Sequence, residues 1–97
     1  MSVTVVYGRF EWDKEKEAEN YRTHGVDFKT AAQSFRDPGR LIVHDEKHSE
    51  QEQRLFCIGM VDKVVLTVRF TMRKGRVRII GAGAWRKGKK LYEEKKG

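Results

Sequence analysis

Three arginines at alternating positions of a two-strand segment are spaced to hold an anion. The segment is Val64 to Ile80, VVLTVRFTMRKGRVRII. Strand side chains alternate between faces. Val64, Leu66, Val68, Phe70 and Met72 therefore share one face, and Val65, Thr67, Arg69, Thr71 and Arg73 share the other. After a turn at Arg73-Lys74-Gly75, Val77 and Ile79 point one way and Arg76, Arg78 and Ile80 the other. One face is core and the opposite face carries a band of Arg69, Arg76 and Arg78. A guanidinium binds phosphate through paired hydrogen bonds, so RNA or DNA phosphate is the first candidate partner.

Proton chemistry is available nearby. His48-Ser49-x-x-Glu52-x-Arg54 brings an imidazole, a carboxylate and a guanidinium together at a loop–strand junction. An unperturbed imidazole titrates near neutrality, which makes His48 the candidate acid or base. Glu52 orients it or acts in its place, and Arg54 adds charge for a phosphate. The structural alternative is a self-capped loop, with Ser49 as an N-cap and Glu52 paired to Arg54. A third set, Trp85-Arg86-Lys87-Gly88-Lys89-Lys90 with Tyr92, interleaves aromatics with cations. Aromatics stack on unpaired bases while cations hold phosphates, so Trp85, Arg86, Lys87, Lys90 and Tyr92 join Arg76 as nucleic-acid contacts. Alternatively Trp85 and Tyr92 pin the last helix to the core, Trp85 being the better anchor.

Other chemistries find little support. His44 and His48 lie four apart beside Asp45 and Glu46, but no second cluster completes a metal site. No phosphate-binding loop, dinucleotide fingerprint or nucleophile elbow occurs. No metal and no cofactor are expected.

The chain has 97 residues and a net charge of +7. Residues 1–52 hold 8 Lys/Arg against 11 Asp/Glu, whereas residues 53–97 hold 13 against 3. An acidic half and a basic half suit two partners, or one partner plus internal pairing. Cys57 is the lone cysteine, inside a strand-like run, which fits a reducing compartment. No apolar run reaches the ~18 residues of a membrane span and no signal peptide is recognisable. A cytoplasmic location is expected, away from membranes.

These residues need elements to position them. Val3 to Tyr7 reads as a first strand running towards Phe10. Asp13 caps a helix over residues 14–24 that ends at Gly25. Asp27 caps a second, from Phe28 to Arg36, with Phe28, Ala31, Ala32 and Phe35 as its buried stripe. Asp37-Pro38-Gly39 stops it. Strands follow over residues 40–44 and 54–60, separated by the polar loop 45–52, and then the arginine hairpin. Gly81-Ala82-Gly83-Ala84 reads as a flexible link to a helix from Lys87 to Glu94. The whole predicts one α+β domain over residues 1–97. Two N-terminal helices pack on an antiparallel sheet of four to five strands, and the basic face stays open or is partly covered by a C-terminal helix.

Phe10-Glu11-Trp12-Asp13, Asn20, His24-Gly25-Val26, Phe28, Phe35, Asp37 and Pro38 resemble the signature of the BrnT toxins of bacterial type II toxin–antitoxin systems. So do His48-Ser49 with Glu52 and Arg54, Ile58-Gly59, Arg78-Ile79-Ile80 and Tyr92-Glu93-Glu94. The likeness runs from Phe10 to Glu94 and leaves residues 1–9 as an extension or extra edge strand. It departs at residues 81–88, where the commoner form is Ser-Ala-Arg-rich, and Ala84 stands where an aromatic beside Trp85 is expected.

The resemblance implies a RelE-like fold and an endoribonuclease that blocks translation. It implies a BrnA-type ribbon-helix-helix antitoxin, joined to the toxin in a hetero-oligomer that contacts operator DNA only through the antitoxin. Metal-independent RNA cleavage uses the substrate's 2′-OH as nucleophile and needs cations for the phosphorane. Arg69 and Arg78 are the first choice for that role and Arg54 the next. The competing class is a non-catalytic basic module that binds nucleic acid or docks an antitoxin.

Overall fold

The computed structural model describes residues 2–48 and 52–96, and for His48 the backbone alone. Ser49, and with it the expected N-cap, lies outside the described residues.

The chain begins with a hairpin of β1 (Thr4–Tyr7) and β2 (Phe10–Asp13). Helix α1 (Lys14–His24) starts where Asp13 accepts hydrogen bonds from the backbone N–H groups of Glu15 and Lys16 at 2.8 and 3.1 Å. It stops at Gly25, whose φ of 71° is the left-handed turn that glycine adopts without strain. Asp27 caps α2 (Phe28–Gln33) through the Thr30 N–H at 2.7 Å. The expected helix to Arg36 tightens into a 3-10 turn at Ser34–Arg36. There the Ser34 carbonyl packs against Gly59, where any Cβ would come within 2.3 Å of its oxygen.

Strands β3 (Leu41–His44), β4 (Leu55–Val61), β5 (Val64–Arg73) and β6 (Arg76–Gly83) follow, then helix α3 (Arg86–Lys96). A 3-10 turn at Glu46–His48 interrupts the polar loop. Asp62 and Lys63 have φ of 48° and 69°, and Lys74 and Gly75 have 49° and 80°, so the β4–β5 and β5–β6 hairpins use turns with two left-handed residues.

The described strands form one six-stranded sheet in the order β1-β2-β6-β5-β4-β3. This corrects the antiparallel four- to five-stranded expectation in two ways. Phe10–Asp13 is a strand of its own, and it lies parallel to β6, with Glu11 opposite Arg78 and Trp12 opposite Ile79. A four-residue strand abutting a helix cap carries too little pattern to announce itself. Its partner lies over sixty residues away. The supposed link at residues 81–84 is also largely strand: Gly81, Ala82 and Gly83 pair with Arg69, Val68 and Thr67. A register shift between Arg69 and Phe70 leaves Ile80 as an extra residue, so Ile80 does not continue the arginine face as simple alternation expects.

One sheet face packs on α1, α2 and the turn after α2. Its core holds Trp12, Phe28, Leu66, Val68, Phe70, Val77 and Ile79. Helix α1 is mostly exposed and is tied down by buried Asn20. Asn20 Nδ2 donates to the carbonyls of Val26 and Ala82 at 3.0 and 2.9 Å, and Oδ1 accepts from the Ala82 N–H at 3.1 Å. On the other face α3 covers Ile58 and Val65 with Tyr92, forming a second, smaller cluster. The rest of that face carries the arginines.

Candidate nucleic-acid interface

Alternation and register together build the charged face. Arg69 lies opposite Gly81, and Arg78 lies opposite Thr71, the next residue of β5 on Arg69's face. The two arginines are thus diagonal neighbours on adjacent strands, the spacing at which long side chains reach one another's partners.

Each is paired with a carboxylate. Arg78 Nη1 donates to Glu11 Oε2 at 2.7 Å, both side chains being largely buried. Glu11 comes from β2, so the unexpected parallel strand supplies the counter-ion. Arg69 Nε lies 3.3 Å from Asp45 Oδ2, and its guanidinium carbon sits 5.4 Å from the centre of the Phe56 ring. Asp45 is buried, and its N–H donates to the Arg54 carbonyl at 2.8 Å, closing the loop's two ends. Arg73 donates from Nε and Nη2 to both oxygens of Glu52 at 3.2 and 3.0 Å.

Glu52 therefore binds Arg73 rather than Arg54, as the self-capped reading had it. The hydrogen-bonded Arg73 holds its carboxyl below the ordinary range, with Arg73, Arg54 and Arg78 adding through-space attraction. At neutral pH Glu52 is a carboxylate that accepts; it holds no proton to give. Arg54 is half-buried at the entry to β4 and belongs to the same charged neighbourhood.

A cleft of about 560 Å³ opens on this face between β3, the middle of the sheet and α3. Val43, Phe56, Ile58 and Leu91 make it apolar; Arg69, Asp45, Glu46, Lys47 and Lys87 bring charge to its lining, and Trp85 borders it. Two glycines shape it. A Cβ on Gly83 would meet the Trp85 indole at 2.5 Å, and one on Gly88 would meet Thr67 Oγ1 at 1.9 Å. Bare backbone at these positions lets the indole fold back and α3 lie directly on β5. The departure at residues 81–88 thus has a structural meaning.

The two aromatics of the last segment differ in burial. Tyr92 is 2% exposed and donates its hydroxyl hydrogen to Asp37, so it anchors α3 and offers no open ring for stacking. Trp85, expected as the anchor, is 37% exposed; its indole lies over Gly83 and makes a T-shaped contact with His24, at 5.0 Å between centroids. Lys87 lines the cleft, while Arg86 and Lys90 are exposed elsewhere on α3. Arg76 shares the arginine face but sits at the hairpin end, donating to the Gly8 carbonyl at 2.6 Å. His48 belongs by its backbone to the turn whose Glu46 and Lys47 line the cleft.

Asp45, Glu11 and Arg73 are the participants that sequence reasoning missed. In the sequence Asp45 suggests only a metal ligand beside His44 and His48. Among the described residues no three His, Cys, Asp or Glu side chains converge on a metal-sized site, and no described helix is long and apolar enough to cross a membrane. No curated protein matches the sequence. A family model described as the ribonuclease toxin BrnT of a type II toxin–antitoxin system matches residues 12–88.

Proposed function

The chain belongs to the BrnT family of ribonuclease toxins of type II toxin–antitoxin systems, and from that premise we propose that the arginine face beside α3 is where RNA is bound and cut. The observation that carries this reading is the diagonal pair Arg69 and Arg78, each steadied by its own carboxylate, beside a cleft with a half-exposed tryptophan. A guanidinium has five N–H donors. The contacts to Asp45 and Glu11 each engage one nitrogen, so further donors remain for phosphate oxygens.

In the reaction proposed, the substrate's 2′-OH gives up its proton and its oxygen bonds to the adjacent phosphorus. The bond from phosphorus to the 5′-oxygen breaks as that oxygen takes a proton. The products are a 2′,3′-cyclic phosphate and a 5′-hydroxyl. Arg69 and Arg78 stabilise charge on the phosphorane, with Arg54 behind them. His48 handles a proton, and ionised Glu52 orients it. Arg76, Arg86, Lys87 and Lys90 attract the RNA backbone, and Tyr92 serves by fixing α3. No metal ion enters this scheme. Cleavage of messenger RNA would block translation in the cytoplasm. A BrnA-type antitoxin would neutralise the toxin by covering this face.

The test is cleavage of a labelled RNA by purified protein in excess chelator, with end-group analysis of the products. A 2′,3′-cyclic end that disappears in Arg69→Ala and in Arg78→Ala, both folded, supports the assignment. Full cleavage by either variant, or none by the unaltered chain, removes it. Salt-dependent RNA binding without cleavage would instead favour the non-catalytic module.

A further inference from the structure

The cleft holds more than a phosphate needs. A phosphate site requires convergent donors, yet most of this wall is hydrocarbon: Val43, Phe56, Ile58 and Leu91. Its volume of about 560 Å³ falls in the range of small-molecule sites. Phe56 is half-buried and already carries the Arg69 guanidinium over its ring. Trp85 borders the same space with 37% of its surface exposed, held over Gly83. Lys47, from the turn before β4, and Lys87, from α3, also line it, as do the carboxylate residues Asp45 and Glu46.

We propose that this cleft seats one unpaired RNA base, with Phe56 and Trp85 as its stacking surfaces, while Arg69 holds the phosphate attached to that nucleotide. The inference rests on the RNA-cleaving reading of the same face and adds a substrate class: single-stranded RNA whose base leaves the stack to enter a pocket. A paired base is held inside its helix and has no free face to offer. Stacking on an aromatic ring tolerates different bases, because each has a π-face. Gly83 and Gly88 are then pocket-forming residues, since side chains there would displace the indole and lift α3.

The experiment uses an RNA oligonucleotide with every 2′-oxygen methylated, which supplies phosphates and bases but no nucleophile. It is compared with oligonucleotides of the same length lacking one base, scanned along the strand. Binding is read by anisotropy and by tryptophan fluorescence. Trp12 is 1% exposed, and a Trp85→Phe control separates its signal. One missing base should weaken binding about 10-fold and abolish the quenching of Trp85. Phe56→Ala and Trp85→Ala should erase the difference between intact and abasic strands, whereas Trp85→Phe, which keeps a ring, should retain it. A duplex of the same sequence should bind more weakly than the single strand.

Equal binding of intact and abasic strands, no Trp85 quenching, or no binding at all overturns the base seat. So does a Trp85→Ala variant that loses only a protein partner. The two readings fail separately. If Arg69→Ala abolishes cleavage while abasic strands bind normally, the ribonuclease stands and the base seat falls. If the base effect is present but natural RNA stays intact, the seat stands and the cleavage reading falls.

Discussion

Tyr92 in α3 donates its hydroxyl hydrogen to the carboxylate of Asp37, 55 residues earlier in the chain. Asp37 also accepts the N–H groups of Met60 and Gly39, each at 2.8 Å. One carboxylate thus ties α3 to β4 and to the turn after α2. The tyrosine hydrogen bond, ahead of the Met60 and Gly39 amides, lowers the Asp37 carboxyl from its ordinary 3.8, and the same contact raises the Tyr92 phenol from 10.0. A lowered carboxyl stabilises the fold above its ordinary value, and that contribution is lost as pH falls through the lowered one. A raised phenol stabilises below its ordinary value and is lost as pH rises through the raised one. Stability from this pair should therefore be flat between the two and fall at both ends. Tyr92→Phe should cost about 1–2 kcal/mol at pH 7, measured by urea unfolding, and Asp37→Asn should flatten the acid limb. An unchanged acid limb in Asp37→Asn would remove the linkage.

Gly88 should be intolerant of any side chain. Alanine there puts a methyl 1.9 Å from Thr67 Oγ1, and overpacking of this kind costs about 1–3 kcal/mol. Gly88→Ala should also widen or close the cleft. Adding Thr67→Ala should recover part of the lost stability, and a double variant no better than the single would show the clash lies elsewhere.

Thr67 carries a second expectation. Its hydroxyl is buried without a hydrogen-bond partner among the described residues. Thr67→Val keeps the shape and removes the polar atom, so its stability should match or exceed that of the parent within about 1 kcal/mol. A large loss on thermal unfolding would mean that the hydroxyl has a partner, such as ordered water.

Asn20 fastens a helix that has little apolar surface of its own. Asn20→Ala would strip partners from the Ala82 N–H and from the Val26 and Ala82 carbonyls, at a cost of about 2–4 kcal/mol. Amide exchange should report the loss first in α1. Protection of α1 unchanged from the parent would count against this role.

The charged face should divide by role. Losing Arg69 or Arg78 should reduce RNA cleavage by roughly 100- to 1,000-fold, as removal of a transition-state donor does. Lys87→Ala should leave the rate with saturating RNA nearly intact and lower the salt dependence of binding by about one phosphate contact. Glu52→Gln should change cleavage less than about 10-fold if Glu52 only orients. A loss as large as that of Arg69 would make it a participant in proton transfer.

Much of the local structure was legible in the chain. Asp13 and Gly25 mark the ends of α1, and Asp27 marks the start of α2, because capping and left-handed turns depend on residues a few positions apart. The alternation in β5 and β6 separated core from arginines for the same reason. The second strand was missed because four residues give too few repeats, and the Gly81–Gly83 segment because glycine alone signals freedom. The partners of the arginines were also out of view. Glu52 sits two residues from Arg54 in sequence yet binds Arg73, 21 residues away, because the sheet register carries Arg73 to it.

By itself, the sequence determined which residues are cationic, which strand face they share, where the helices begin, and the resemblance that led to the toxin family. Each of these is carried by residue type and short-range spacing. Tertiary structure alone decided that Glu11 and Asp45 face Arg78 and Arg69, that Tyr92 anchors α3 through Asp37, and that Gly83 and Gly88 leave a cleft beside them. Those relationships depend on register between distant strands and on backbones packed too closely for a Cβ, and neither is encoded in local pattern.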